Sequence, residues 1–251
     1  MLAIIGGSGV GSLFDLPGRR RRIVRTPFGD PSAPLVFADI DGCEAVFLAR
    51  HGGGHVLPPH RINYRANIHA LREVGATAIV ALASVGGISA DAGPGSIVVP
   101  HQILDYTHGR ESTFFDGGDR IVQHIDFTEP YSASIRRLLM TAAATVGETF
   151  VSGGVYAATQ GPRLETAAEI ERLRRDGATL VGMTGMPEAA LAREAGLPYA
   201  HLCFVVNWAA GVGDSVQRID HEEINRTLAR CTERVRRVVL AAAAAFARGN
   251  A

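Results

Sequence analysis

Short runs of apolar residues, separated by glycine-rich and polar turns, recur along the 251-residue chain. Runs of four to eight apolar residues bounded by turn residues are typical of strands buried on both faces of a sheet. The first run ends in the turn Gly6–Gly9, and a later one ends in the turn Ser84–Gly87. The buried strands predicted in this way are Leu2–Ile5, Ala78–Ala83, Ile97–Val99 and Gly154–Ala158.

A hairpin is predicted between residues 35 and 49. The apolar runs Leu35–Ile40 and Glu44–Ala49 flank the dipeptide Asp41-Gly42. This dipeptide suits a type I′ turn, because Gly and Asp tolerate the positive φ angles that the turn requires.

Helical spacing of apolar positions is clearest after Pro58-Pro59, where Ile62, Ala66, Ala70 and Val74 recur every four residues. Asp220, followed by Glu223, resembles a capping box and predicts a last helix that reaches about Arg248. The other predicted helices are Ile62–Val74, Tyr131–Val146, Glu165–Arg175 and Pro187–Ala195. The mixture predicts a single α/β domain, residues 1–251, with helices flanking a central mixed twisted sheet.

The segment 181–211, VGMTGMPEAALAREAGLPYAHLCFVVNWAAG, predicts a ligand pocket. One apolar run ends at Met183-Thr184, Gly185 and Pro187 open a helix, and a second apolar run ends at Asn207. A strand, a helix and a strand in this order bring their polar ends to the same edge of a sheet. Ligands bind at the carboxyl ends of strands in open α/β sheets, and helix N-termini attract anions.

Composition excludes several chemistries. All 25 basic residues are arginine, so no lysine is present to form a Schiff base or to hold a phosphate in a P-loop. The formal net charge is zero, which gives no global attraction to nucleic acid or to an anionic membrane. The run Arg19–Arg22 is either a solvated start of a strand or an arm that binds phosphate or nucleic acid.

Cys43, Cys203 and Cys231 are odd in number and widely spaced, which disfavours a disulfide framework or a zinc site. Cys203 lies in an apolar run and is expected to be a core thiol. The N-terminal apolar run is too short for a signal peptide or a membrane span, so we expect a cytoplasmic protein. HExxH, GxSxG and acidic metal-binding clusters are absent from the sequence.

Two segments could bind an anion. In IIGGSGVG, Ser12 stands where the third glycine of a dinucleotide fingerprint belongs. An anion nest that includes the Ser8 hydroxyl, a plain turn and a dinucleotide loop all remain open for this segment. Arg50 and His51 follow a buried strand, and they are either an anion site with a forked donor and a further His donor, or part of a structural ion pair.

Three further polar residues have a structural alternative. Glu165 could be a helix N-terminal acid, Asn207 a turn residue, and His221 a helix cap or a solvated side chain.

The chain resembles the trimeric purine nucleoside phosphorylase and methylthioadenosine phosphorylase family. Matching segments occur in the family's order along almost the whole chain. They are GGSG at 6–9, TPFG at 26–29, LARHG at 48–52, NYRANIHAL at 63–71, SVGG at 84–87, HIDFTEPY at 124–131, TQGPRLET at 159–166 and GMTGMPEAALARE at 182–194.

This resemblance implies the nucleoside phosphorylase fold, with a partly barrel-like sheet. It also implies a purine nucleoside and inorganic phosphate as substrates, no metal or organic cofactor, and a homotrimer with shared active sites. Met183 would cover the ribose, and His124 would reach the sugar pocket of a neighbouring subunit. The residues implied to bind phosphate are Ser8, Arg50, His51, Thr184 and the backbone at Ser84.

Base specificity is implied by Glu165, Asn207 and Ala209. Adenine-preferring relatives usually carry aspartates and a serine at these positions, whereas Glu with Asn is the pair of the 6-oxopurine phosphorylases. The Glu165 carboxylate can accept from N1–H of hypoxanthine or guanine, and Asn207 can donate to O6 or N7. Leu164 stands beside the base in place of the usual aromatic residue.

The group bound at the 5′ position is less determined. His221 resembles the histidine that 6-oxopurine phosphorylases place near the 5′-hydroxyl, which favours inosine or guanosine as substrate. The LARHG and NYRAN segments look most like the methylthio-nucleoside branch, so S-methyl-5′-thioinosine or methylthioadenosine is the alternative. In either case the expected reaction is phosphorolysis of the N-glycosidic bond, with Asn207, Glu165 and His51 as catalytic residues.

Overall fold

The computed structural model describes residues 1–7, 16–117, 121–216 and 220–249, with Cys43 described by its backbone alone. In these residues the helices are α1 Tyr64–Glu73, α2 Ala133–Thr145, α3 Ala167–Arg175, α4 Gly185–Glu194 and α5 His221–Ala247. The strands are β1 Leu2–Gly6, β2 Arg20–Arg22, β3 Leu35–Ile40, β4 Cys43–Ala49, β5 Ala78–Gly87, β6 Ile97–Val99, β7 Gln102–Asp105, β8 Val151–Ser152, β9 Val155–Ala158, β10 Leu180–Gly182 and β11 Tyr199–Trp208.

The strands form one mixed sheet in the order β2-β3-β4-β1-β5-β10-β9-β7, and β11 joins β5 to β6 and β8. The strand pairs β1–β4, β1–β5, β5–β11 and β9–β10 are parallel, whereas β10 runs antiparallel to β5. The α/β class with a mixed central sheet is therefore confirmed.

Strand β5 is the branch point of the sheet. It pairs with β11 from Ile79 to Gly87 along one edge. Its other edge is shared, because β1 pairs with it at residues 78–81 and β10 at Gly86 and Gly87. Residues 82–85 of β5 lie between these two partners, and we call this stretch the open edge.

The packing has two faces. On β5, Ile79, Ala81, Ala83 and Val85 join the cluster that includes α1 and α4, whereas Ala78, Val80 and Leu82 join the cluster that includes α2 and α5. This alternation explains the continuous apolar run, since a strand covered by helices on both faces has no solvent side.

The predicted hairpin is confirmed. Strands β3 and β4 pair antiparallel around Asp41 and Gly42, whose φ angles are 51° and 81°. Positive φ at both central residues is the requirement of a type I′ turn. Three residues of the basic run, Arg20–Arg22, form the exposed strand β2, and Arg20 forms an ion pair with Glu44.

Two predicted boundaries differ from the structure. Residues 84–87 were expected to form a turn, but they extend β5 because β11 and β10 pair with them. Helix α3 was expected to begin at Glu165, but Thr166 is its N-cap and Glu169 completes the capping box. Asp220 caps α5 as predicted, accepting from the backbone of Glu222 and Glu223.

Cys203 is fully buried, as expected for a core thiol. In the described parts of the chain, the helices are all too short or too polar to cross a membrane.

Candidate functional site

A cavity of about 700 Å³ lies beside the open edge of β5. Its walls come from separate parts of the chain: the ends of β4, β5, β10 and β11, the loop after β9, and the first turns of α5. The predicted site residues that line it are Arg50, His51, Ser84, Leu164, Glu165, Met183, Thr184 and Asn207.

The open edge brings polar backbone groups to the cavity. The Arg50 backbone follows β4 and donates to Gly6 O at 2.9 Å, while its Nη1 donates to Leu82 O at 3.0 Å. Backbone groups of successive strand residues point to opposite edges, so Ser84 N–H points to the same edge as Leu82 C=O. The Ser84 backbone is therefore oriented toward the cavity.

A shift of register in β11 determines the orientation of Asn207. The register of β11 against β5 shifts between Val205 and Asn207, so that Asn207 lies opposite Gly86. Such bulges redirect a side chain next to many functional sites. One N–H of the Asn207 amide donates to Trp208 O at 2.6 Å, which leaves the second N–H and Oδ1 for a ligand.

Met183 and Thr184 line the cavity from the end of β10, and Asn207 lines it from the end of β11. The two strands run in opposite directions, because β10 is antiparallel to β5 while β11 is parallel to it. Their ends still meet, because β10 pairs with the last two residues of β5. Met186 has non-helical angles (φ −120°, ψ 141°), so regular α4 begins near Pro187, as predicted.

Glu165 precedes α3 and is held by a neighbour. Its Oε1 accepts from the Thr159 hydroxyl at 2.6 Å, and the side chain is half-buried in the cavity wall. Oε2 remains for a ligand. The loop approaches β10 at Gly161, where a Cβ would lie 2.5 Å from Met183 Sδ, so a side chain there would displace Met183.

Arg50 forms a buried ion pair with a residue that the sequence analysis did not identify. Arg50 Nε donates to Glu188 Oε2 at 2.6 Å and Nη2 to Oε1 at 2.7 Å, with both side chains fully buried. Burial opposes the charged guanidinium, but the Glu188 carboxylate raises the pKa of Arg50 above its ordinary value. The structural ion pair is therefore present, and these contacts use three of the five N–H groups of Arg50.

His51 is neutral and fixed in one tautomer. Its Nδ1 lies 2.8 Å from Leu57 O, and a carbonyl only accepts, so Nδ1 carries the proton. Burial lowers the pKa of His51 to about 4, and the nearby Arg50 charge adds to the effect. The sequence suggested a further donor at His51, but the free Nε2 of this neutral ring is an acceptor.

Two predicted residues of the described part of the chain, His221 and His124, do not line the cavity. Ser8 lies outside the described residues. His221 is the exposed first residue of α5, and His124 is exposed in the segment before α2.

Other lining residues were missed. Ile224, Asn225 and Leu228 reach the cavity from α5, and His55–Pro59 form a rim. The spacing of Ile224 and Leu228 marks one helical face, but a core face has the same pattern. Glu188 follows Thr184 by four residues, which is the spacing of residues on the same face of a helix. This spacing alone does not show whether the Glu188 carboxylate is buried or solvated.

Comparison with known proteins agrees with this geometry. The model of the "Phosphorylase superfamily" matches residues 1–244. A probable S-methyl-5′-thioinosine phosphorylase of Xanthomonas campestris pv. campestris is 55% identical over 223 residues, which is 89% of each chain. The 6-oxopurine nucleoside phosphorylase of Pyrococcus furiosus is 43% identical over 248 residues, covering 96% of this chain and 91% of that protein.

Solved structures give the same result. A methylthioadenosine phosphorylase from an Antarctic soil metagenomic library superposes with a TM-score of 0.93 and 34% identity, covering 100% of this chain and 87% of that one. The Schistosoma mansoni methylthioadenosine phosphorylase in complex with adenine gives a TM-score of 0.90 and 33% identity over 98% of this chain and 91% of that one. The chain therefore belongs to the phosphorylase superfamily, and it is a nucleoside phosphorylase, a pentosyltransferase that acts on a nucleoside with phosphate.

Proposed function

We propose that this enzyme cleaves S-methyl-5′-thioinosine with inorganic phosphate, giving hypoxanthine and 5-methylthioribose 1-phosphate. One observation carries the proposal: the carboxylate of Glu165 and the amide of Asn207 share a cavity with Arg50, and Ile224 and Leu228 of α5 line the same cavity. Phosphate is a co-substrate, and no metal or organic cofactor takes part in the proposed step.

Base recognition rests on Glu165 and Asn207. The free Oε2 of Glu165 accepts from N1–H of a 6-oxopurine, and the second N–H of Asn207 donates to O6 or N7. Adenine carries a lone pair at N1, which would face the carboxylate and leave a charged group without its hydrogen bond, at a cost of about 1–3 kcal/mol or more. Sites built on such a hydrogen bond lower kcat/KM for the wrong analogue by about 10⁴-fold or more. Leu164 contributes an apolar contact at the rim.

The phosphate occupies the region of the open edge. Arg50 supplies its remaining N–H groups, the Ser84 backbone and the Thr184 hydroxyl supply further donors, and Ser8 is proposed to add one more. His51 Nε2 accepts the O–H of a protonated phosphate, because the ring is neutral. Met183 covers the ribose.

The methylthio group is favoured at the 5′ position by the surface of α5. Ile224 and Leu228 line the cavity, whereas His221, the residue expected near a 5′-hydroxyl, is exposed and lies outside its lining. An apolar wall stabilises a methylthio group by removing it from water. Inosine and guanosine are the second candidates, because polar Asn225 also lines this wall and a 6-oxopurine nucleoside phosphorylase is among the relatives.

Catalysis is mainly electrostatic. A phosphate oxygen forms a bond to C1′ as the C1′–N9 bond breaks, and the bonding pair leaves with the purine. Positive charge on the sugar is stabilised by the bound phosphate, and negative charge on the base by the Asn207 N–H. Preorganised donors of this kind are a large source of rate enhancement, and holding both reactants in one cavity adds to it.

We also propose a homotrimer in which His124 completes the sugar pocket of a neighbouring subunit. His124 is exposed and lies outside the lining of its own chain's cavity, which is the placement that such a contact requires.

The test is to follow absorbance during incubation with S-methyl-5′-thioinosine, inosine, guanosine, methylthioadenosine and adenosine, each with and without phosphate. We expect phosphate-dependent cleavage with kcat/KM highest for S-methyl-5′-thioinosine. If kcat/KM for inosine equals that for S-methyl-5′-thioinosine, inosine and guanosine become the proposed substrates. Cleavage without phosphate would identify a hydrolase and contradict the proposal.

A further inference from the structure

Behind Arg50 lies a chain of buried polar side chains that the reaction itself does not use. Tyr199 Oη lies 2.8 Å from Glu188 Oε1 and 2.9 Å from His201 Nε2. His201 Nδ1 lies 3.0 Å from Tyr131 Oη. Each of these four side chains is essentially inaccessible to solvent. The chain therefore runs without interruption from the guanidinium of Arg50 to Tyr131.

The direction of every proton in this chain is determined. The Glu188 carboxylate, paired with Arg50, only accepts, so Tyr199 donates its single O–H to it. His201 must then donate Nε2–H to Tyr199 Oη. Burial, with the Arg50 charge, lowers the pKa of His201 well below its ordinary value, so the ring is neutral and Nδ1 accepts from Tyr131.

The carboxylate at the start of this series determines which N–H groups of Arg50 remain for a ligand. Glu188 holds the Nε–Nη2 edge, with Leu82 O holding one N–H of Nη1. Two N–H groups are left, one on Nη1 and one on Nη2. Charge-assisted donors of a guanidinium bind the oxygens of a phosphate.

The same chain contacts a second phosphate-site segment. The Tyr156 ring stacks on His201 with centroids 5.0 Å apart, and Tyr156 Oη accepts from Thr184 N at 3.3 Å. Packing is tight at Gly185, where a Cβ would lie 2.9 Å from the Tyr156 ring and 3.0 Å from His201. A shift of His201 would therefore reach Thr184 as well as Arg50.

We propose that Glu188, Tyr199, His201 and Tyr131 are positioning residues that hold Arg50 and the Thr184 segment in the geometry that binds phosphate. None of the four touches the nucleoside in this account, so they act on the anion alone. The inference rests on the proposed function, in which Arg50 contacts phosphate.

The test uses Tyr199→Phe, which removes one oxygen and retains the ring. It leaves His201 Nε2–H without its acceptor and removes one of the two donors to Glu188 Oε1, which keeps the N–H of Arg50 Nη2. We expect the KM for phosphate to rise about tenfold, which corresponds to the loss of one net hydrogen bond, while the KM for the nucleoside stays within about twofold. Tyr131→Phe, at the far end of the chain, should give a smaller change of the same kind.

Tyr106→Phe is the matched control. It also removes a tyrosine–carboxylate hydrogen bond, from Tyr106 Oη to Asp176 at 2.6 Å, but at a partly exposed position outside the cavity lining. Its phosphate KM should equal that of the wild type. If Tyr199→Phe fails to fold, Tyr131→Phe carries the same test, with phosphate affinity measured by titration calorimetry.

Arg50→Lys separates failure of this inference from failure of the proposed function. In both of the following cases Arg50→Lys raises the KM for phosphate. If Tyr199→Phe and Tyr131→Phe leave that KM unchanged, the positioning role is overturned and the proposed function stands. The same conclusion follows if the two tyrosine variants raise the KM for phosphate and the KM for the nucleoside equally. If wild-type cleavage does not depend on phosphate, or if Arg50→Lys leaves the KM for phosphate unchanged, the positioning role and the proposed function are both overturned.

Discussion

The guanidinium of Arg50 lies side-on against the carboxylate of Glu188, with Nε–Oε2 at 2.6 Å and Nη2–Oε1 at 2.7 Å. The residues are 138 positions apart in the chain, and neither side chain is exposed. The pair therefore joins the end of β4 to the first turns of α4.

Glu188→Ala should destabilise the protein strongly, by about 3–5 kcal/mol, because it leaves the buried Arg50 charge without a partner. The double replacement Arg50→Met with Glu188→Leu removes both charges and should recover most of that stability. Urea unfolding monitored by circular dichroism measures both. Equal stability of Glu188→Ala and wild type would show that Arg50 does not depend on this partner. The double variant should remain inactive, since the proposed phosphate donor is gone.

Asn207→Ala should lower kcat/KM by about two orders of magnitude or more, as the loss of one preorganised donor commonly does. Steady-state kinetics with the preferred nucleoside checks this. Ser89→Ala is the control, because Ser89 is a partly exposed polar residue just after β5 and outside the cavity lining. Turnover near the wild-type level in Asn207→Ala would remove this residue from the mechanism.

The 5′ specificity should depend on Ile224 rather than on His221. Ile224→Ser places a hydroxyl in the apolar wall and should reduce the preference for S-methyl-5′-thioinosine over inosine by about tenfold, through lost apolar burial. His221→Ala should leave the ratio of the two kcat/KM values unchanged. A loss of inosine cleavage in His221→Ala alone would instead support the histidine as a 5′-hydroxyl ligand.

Stability should fall as the pH decreases from 7 to 5. In the folded protein the pKa of His201 lies well below its ordinary value, and the pKa of His51 is about 4. In the unfolded chain both histidines titrate at about 6.5. The unfolded chain thus binds more protons in this interval, and each group contributes up to about 1.4 kcal/mol per pH unit to the slope. Urea unfolding at several pH values measures the slope. His201→Gln should make it shallower, and an unchanged slope would contradict the neutral buried ring.

Shared active sites should be visible by mixing subunits. His124→Ala and Asn207→Ala homo-oligomers should each have low activity, and co-refolding the two variants should restore part of it, because some sites combine intact contributions from both chains. Unmixed variants refolded alone are the control. Absence of recovery, or a monomeric mass in solution, would contradict the shared site.

Local sequence signals predicted much of this structure. Asp41-Gly42 specified its turn, and Asp220 specified the start of α5, because both features depend only on neighbouring residues. Long-range pairing was not accessible in the same way. The glycines at 86 and 87 indicate a turn, and only the partners β10 and β11 make them a strand.

The site shows the same division. The resemblance and the residue types selected Glu165, Asn207 and Arg50, which do line one cavity. The partner Glu188 and the chain Tyr199–His201–Tyr131 remained hidden, because a buried carboxylate on a helix and a histidine in a strand have no distinctive pattern. Their significance comes from the packing of α4 against β11 and from the contact of Glu188 with Arg50 just after β4, which the sequence does not reveal.

In the proposed enzyme one cavity holds the keto edge of a purine between Glu165 and Asn207 while phosphate lies against Arg50. A crystal structure with hypoxanthine and phosphate should show Glu165 Oε2 at about 2.7–3.0 Å from purine N1. Phosphate oxygens should lie at a similar distance from the two remaining N–H groups of Arg50. A purine bound with Glu165 turned away from N1, or phosphate bound elsewhere, would contradict this arrangement.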